Sequence, residues 1–199
     1  SLDILPVKLH QSLARALGVP LEDTSAEVRA TRAVKSAWER GRLREAGALA
    51  DDTFRFIQER IHPGVREIDL AAELTAFVVR AGSVAYYRTR TFNMEFATFC
   101  AIAGESGEWR GASDSPNAAG RGPDPAFGQG PSAREIQPGE PILIDIGTNR
   151  RGYYADTTRV YHLGNLPDRF LDAHRLSEEI LAAAVEDVER RRPLDEVYS

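Results

Sequence analysis

The chain has 199 residues, 25 Lys+Arg against 30 Asp+Glu for a net charge of −5, and 42% hydrophobic residues. That length suits one domain or a domain with a fragment of another, and the negative balance excludes a general attraction to nucleic acid or anionic membrane. No apolar run approaches a membrane span and no signal peptide is recognisable, while the lone Cys100 excludes an internal disulfide and suits a reducing, cytoplasmic setting.

Taken in order, residues 1 to about 31 read as the end of a separate unit, and the first residue, Ser1, is expected of a processed, tagged or excised piece. Leu2-Asp-Ile-Leu5 suits a strand, and Pro6 opens a helix to Leu17, stopped by Gly18. The boundary is expected near Thr31 to Lys35, dividing the chain into 1–33 and 34–199. Ser36 and Glu39 form a capping-box pattern for a long helix to about Ile61, with Trp38, Leu43, Ala46, Leu49, Ala50, Phe54 and Ile57 as its core stripe. Pro63-Gly64 ends it, and a second helix covers about Ile68 to Arg80, before Gly82.

Phe92 to Ala103 reads as a strand with Phe96, Thr98, Cys100 and Ile102 on one face. No His lies near Cys100 in sequence, so a packed strand cysteine is expected rather than a nucleophile. Gly104 to Arg134 is rich in Gly, Pro, Ser and Ala without apolar period. A loop of that length is expected to be a site rim or a subunit contact. Its Gly120-Arg-Gly and Gly128-Gln-Gly do not stand between strand and helix, which argues against a nucleotide cradle.

A hairpin follows, with one arm Pro141-Ile-Leu-Ile-Asp145-Ile-Gly-Thr148 and the other Tyr153-Tyr-Ala-Asp156-Thr-Thr-Arg159-Val-Tyr-His162. With Asn149 to Gly152 as the loop, Thr148 faces Tyr153, which puts Asp145 directly opposite Asp156. The two Cβ atoms would then be about 5 Å apart. Repulsion would reach about 4 kcal/mol at about 4 Å and an effective dielectric of about 20. A shared proton, a nearby Arg or a bound cation can offset it, and a solvated acidic pair at a sheet edge is the plain alternative. Leu143, Gly147, Tyr154, Thr158 and Val160 share the carboxylate face, whereas Arg159 points away. His162 lies about 20 Å along the strand, too far to join. Oxygen donors without thiolate favour Mn²⁺, with Mg²⁺, Co²⁺ and Zn²⁺ behind it. A β-bulge would break this register.

Beyond the hairpin, Asn165 or Asp168 is placed to cap a helix with Pro167 at its first turn. It runs to about Arg191 through Leu171, Ile180, Leu181, Ala184 and Val188, closed by Arg190, Arg191 and Arg192. Pro193-Leu-Asp-Glu-Val-Tyr-Ser199 reads as the start of another helix.

Asp145-Ile-Gly, the eleven-residue step to Asp156 and Gly152-Tyr-Tyr-Ala-Asp-Thr-Thr-Arg159 resemble the first metal-binding block of the pita-bread metallopeptidases. That family includes Xaa-Pro aminopeptidases, prolidases, methionine aminopeptidases and creatinase-like hydrolases. Arg32-Ala-Val-Lys-Ser-Ala-Trp-Glu39 resembles the entry to the catalytic domain of the Xaa-Pro branch, and Gln137-Pro-Gly-Glu140 fits as well.

The resemblance implies an α+β fold: the first half of a pita-bread domain, an antiparallel sheet with helices on one face, after the tail of an N-terminal domain. It implies a dinuclear exopeptidase removing N-terminal residues or dipeptides, Xaa-Pro bonds foremost, in the cytoplasm as a homodimer. An inactive binding module and a creatinase-like hydrolase or lyase are the alternatives. Two divalent ions are implied, Mn²⁺ first and Co²⁺, Zn²⁺ or iron behind it. Asp145 would chelate one ion, Asp156 would bridge both, Thr158 would support Asp156, and Tyr154 would line the pocket. The family's remaining ligands, one His and two Glu, are expected beyond Ser199, which would leave this piece inactive alone and its apolar sheet surface uncovered. The Xaa-Pro enzymes also carry a substrate-positioning His upstream, whereas Asp114-Ser-Pro-Asn-Ala-Ala-Gly120 has none, and His10, His62, His162 and His174 lie elsewhere.

Overall fold

The structure, a computed structural model, describes residues 2–93, 95–97, 99–111 and 118–193. All but Pro193 of the expected helix start at Pro193–Ser199, the strand position of Thr98 and most of the Asp114–Gly120 loop fall outside those residues.

The N-terminal segment forms α1 (Val7–Leu17) and α2 (Ser25–Ala33). Pro6 caps α1, and Gly18 ends it in the left-handed region at φ 67°. The expected strand at Leu2–Leu5 is instead a 3₁₀ turn over Leu2–Ile4. Its amide at Leu2 donates to Asp23 Oδ1 at 2.9 Å, a local side-chain partner in place of a neighbouring strand. α2 has no counterpart among the expected elements.

α3 (Ala37–Gln58) begins at the expected capping box: Glu39 N donates to Ser36 Oγ at 3.3 Å and Ser36 N to Glu39 Oε2 at 2.7 Å. Ala46, Leu49, Ala50, Phe54 and Ile57 are buried along one stripe. Trp38 is not part of the core. It stands at the helix start, 55% exposed, edge-on to Tyr153 near the hairpin tip. α4 (Glu67–Arg80) follows and buries Leu70, Leu74 and Val78.

The expected strand from Phe92 to Ala103 is divided between two sheets. β1 (Tyr86–Arg88) pairs antiparallel with β2 (Glu95–Ala97) as a separate two-stranded unit. β3 (Phe99–Ala103) joins β4 (Pro141–Arg150) and β5 (Tyr153–His162) in an antiparallel sheet of order β3-β4-β5. Phe96 and Cys100 therefore lie in different sheets.

One face of the larger sheet is covered. Ile142, Ile144 and Ile146 of β4 and Phe99, Ala101 and Ala103 of β3 pack with Phe54, Ile57, Leu70, Leu74 and Val78 from α3 and α4. Arg159 belongs to this face, as its parity requires, with its guanidinium 5.1 Å from the Phe54 ring. Helices on one side of an antiparallel sheet leave the other side available for a site.

The hairpin differs from expectation at its turn. Arg150 pairs with Tyr153, so the loop is Arg151-Gly152 alone, with φ 52° and 86°. Positive φ at both central residues is the two-residue turn whose twist matches its strands. Asn149 and Arg150 extend the strand rather than leaving it, and Asn149 Oδ1 accepts from Gly152 N at 3.3 Å. An arginine in the left-handed region is uncommon, so the sequence conceals the turn.

α5 (Asp168–Glu189) closes the described chain. Pro167 is its N-cap, with no side-chain cap from Asn165 or Asp168, and no residue of this helix is buried. Leu176, Ile180, Leu181, Val185 and Val188 are exposed along it, an uncovered apolar stripe on a helix rather than on the sheet. No helix among the described residues is long and apolar enough to cross a membrane.

Candidate metal centre

The open face of the sheet is built in cross-strand rows. Nearest the turn, Asn149 pairs with Tyr154, and next Gly147 pairs with Asp156. Then Asp145 stands between Cys100 and Thr158, and Leu143 between Ile102 and Val160. Asp145 and Asp156 thus share a face, as strand parity demands, but they are diagonal neighbours and not a facing pair. The shorter turn moved the register by two residues, and an even shift preserves the face while changing the partner. Diagonal neighbours on one face have Cβ atoms about 7–8 Å apart or somewhat less, leaving room for oxygen donors to converge on an ion.

Thr158 is correspondingly placed against Asp145 rather than Asp156. Its Oγ1 donates to Asp145 Oδ1 at 2.6 Å, fixing that carboxylate's orientation. Asp156 has no such partner among the described hydrogen bonds. Partial desolvation, with the charge of Asp145 beside it, raises its carboxyl above the ordinary range. Cys100, in the Asp145 row, has its thiol pushed up to about 12 by burial, then by Asp145 and Glu67. It is a packed, protonated strand cysteine and not a nucleophile.

Tyr87 was not among the expected site residues. Strand β1 lays it across the open face, where its ring is 4.7 Å from that of Tyr154. Tyr154 Oη in turn donates to the carbonyl of Tyr86 at 3.0 Å, tying the small hairpin to β5. The Tyr87 hydroxyl occupies the space that a Cβ at Gly147 would fill. It is buried and has no hydrogen-bond partner among the described residues. Burial raises its hydroxyl well above the ordinary phenol range, and Asp156 and Asp145 add to the effect. The signal was present: a glycine inside a strand, in Asp-Ile-Gly, marks close approach by another group.

The open face continues past Asp145 into a cavity of about 480 Å³ whose walls include Ile102, Leu143 and Val160, with Glu105, Glu108 and Arg169. The start of the long Gly-rich segment, a 3₁₀ turn over Gly104–Glu108, forms part of its rim. That segment is held at its far end by Arg134, whose guanidinium donates to Glu140 Oε1 and Oε2 at 2.7 and 2.6 Å. At the base of both ends lies Glu67, fully buried, accepting from Ala103 N at 2.7 Å and from Ser132 N and Oγ at 3.0 and 2.7 Å.

The donor set suits a divalent cation in part. Asp145 and Asp156 supply hard oxygen donors, and the buried Tyr87 hydroxyl over the neighbouring Gly147 has no partner among the described residues. Among the described residues no group of three or more His, Cys, Asp or Glu is gathered. His162 lies at the far end of β5, its Nδ1 2.8 Å from the carbonyl of Gly164. The pair would be two ligands of a larger shell.

Comparison with known proteins agrees with this architecture. The chain is 28% identical over 187 residues to the probable dipeptidase PepE of Mycobacterium tuberculosis, covering 94% of this chain and 43% of that protein. It is 27% identical over 164 residues to the Xaa-Pro dipeptidase of Lactobacillus helveticus, covering 82% and 38%. The solved Xaa-Pro dipeptidase from Bacillus anthracis superposes with a TM-score of 0.73 at 22% identity, over 93% of this chain and 45% of that one. The chain thus spans about two fifths of the curated relatives' length. The expected fold, the front half of a pita-bread domain, is borne out. Residues 41–199 match the family described as Metallopeptidase family M24. The chain belongs to that metallopeptidase family.

Proposed function

We propose that this chain supplies Asp145 and Asp156 as metal ligands in an exopeptidase that removes N-terminal residues or dipeptides, with Xaa-Pro bonds as its preferred class. The observation that carries the reading is the open sheet face. It holds two carboxylates on one diagonal, one of them oriented by Thr158, around a glycine capped by a buried, unpartnered hydroxyl. Nothing in the local fold requires an acidic pair there. The similarity to dipeptidases supports peptide as the substrate.

Divalent cations held at such a site polarise a carbonyl and lower the pKa of bound water. The chain's own residues prepare that chemistry. Thr158 engages one oxygen of Asp145, leaving the other lone pairs for the site. The cavity beyond Leu143 and Val160 offers an apolar floor for a substrate side chain. The all-oxygen pair favours Mn²⁺ over softer ions. Residues 1–33, with α1 and α2, form the tail of a preceding domain in this reading.

The test is Asp156→Asn in the complete protein, with metal content by elemental analysis and activity with Mn²⁺ on Xaa-Pro dipeptides and longer peptides. Loss of bound metal together with near-total loss of N-terminal residue release is expected. Unchanged stoichiometry would remove Asp156 from the ligand set, and a metal-loaded protein that releases no residue from any peptide would end the peptidase reading.

A further inference from the structure

Tyr87 is a further polar side chain on the open face whose position the fold alone does not explain. Its ring is held by Tyr154, and its hydroxyl reaches over Gly147, the residue cross-strand from Asp156 and two positions along β4 from Asp145. A buried hydroxyl with no partner is uncommon in native proteins, and each instance calls for a ligand, an ion or a water. A phenylalanine would pack against Tyr154 equally well without burying a hydroxyl. The glycine beneath is matched to it, since any side chain at position 147 would collide with the phenol.

We infer that Tyr87 is a positioning residue of the metal centre: its O–H donates a hydrogen bond to the oxygen that occupies the space between Asp145 and Asp156 when the cation is bound. The inference rests on the metal-site reading given above. The occupant is a water or hydroxide, or the carbonyl oxygen of a peptide that displaces it. A neutral phenol is suited to this role, because it adds a directional donor without a third negative charge beside two carboxylates. The β1–β2 hairpin then has a purpose beyond cover, since it carries the donor to the site from a separate sheet.

The test is Tyr87→Phe in the complete protein, beside the unsubstituted protein and Asp156→Asn. Mn²⁺ affinity is read by titration calorimetry, the visible spectrum of the Co²⁺ form reports the ligand field, and kcat and KM are measured separately. Tyr87→Phe is expected to retain its circular dichroism and thermal midpoint, weaken Mn²⁺ binding by about tenfold, alter the Co²⁺ spectrum and lower kcat more than it raises KM. The tyrosine ultraviolet difference band produced by metal addition should shrink in the same variant. Folded Tyr87→Phe protein with unchanged affinity, Co²⁺ spectrum and kcat would overturn the inference while leaving the carboxylate site intact. Equal Mn²⁺ binding by the unsubstituted and Asp156→Asn proteins would overturn the site reading, and the inference with it. If Tyr87→Phe fails to fold, Gly147→Ala moves the hydroxyl without removing it. The same loss of affinity is then expected, and unchanged affinity overturns the proposal.

Discussion

Along β4, Ile142, Ile144 and Ile146 are 0, 0 and 1% exposed beneath α3 and α4, whereas Leu143, Asp145 and Gly147 alternate with them on the open face. The same ten residues therefore serve two different demands. The covered face gains chiefly from apolar burial, with Thr148 donating to the Ala46 carbonyl at 2.7 Å at its edge. The open face carries like charges, a strand glycine and an unpartnered hydroxyl, each a local cost tolerated because the other face holds the sheet. Strand alternation lets stability and chemistry be separated by a single residue step.

That contrast can be broken experimentally. The largest effect is expected on the covered face: Ile144→Ala should cost about 2–5 kcal/mol in urea unfolding through lost burial and a residual cavity. Metal affinity of the folded fraction should stay the same. A cost below about 1 kcal/mol would mean that the helices do not depend on this face.

Substitution on the open face should act with the opposite sign. At the diagonal separation of about 7 Å the repulsion is about 2 kcal/mol for an effective dielectric of about 20. Solvent access to Asp156 reduces what is recovered to about 1 kcal/mol or less. Metal-free Asp156→Asn should therefore melt at the same temperature or slightly higher, although it has lost its cation. A marked fall would show that Asp156 supports the fold directly.

The smallest effect is a pH dependence. The Asp156 carboxyl is raised in the folded chain, so the native state binds that proton more tightly than the unfolded state does. Its contribution is complete below the unfolded aspartate value of about 3.9 and fades as pH rises through the folded value. The melting-temperature gap between metal-free unsubstituted and Asp156→Asn proteins should open over that interval and then level off. Saturating Mn²⁺ should reverse it, because the cation stabilises only the protein that binds it.

Much of this was readable from residue order. The capping box at Ser36 and Glu39, the stripe from Ala46 to Ile57 and the common face of Asp145 and Asp156 follow from periodicity and local chemistry. The direct facing of the two aspartates was not borne out, because Arg151 enters the left-handed region that sequence assigns to other residue types. Tyr87 stayed hidden because β1 is a three-residue strand in its own sheet, too short for an alternating pattern to show. Its approach to Gly147 spans sixty positions of chain, and only the glycine hinted at it. Trp38 misled for a different reason: helical spacing reports which way a side chain points, but not whether anything stands opposite it at the helix end.

Glu67 has a consequence for the order in which the chain is assembled. Its carboxylate takes three hydrogen bonds from partners 36 and 65 positions further along, at Ala103 and Ser132. The start of α4 is therefore completed only after both ends of the Gly-rich segment have arrived, so early helix formation leaves this anion waiting in water. Once seated, it acts as a latch shared by a helix, a strand end and a loop, and local opening at any one of them must release all three together.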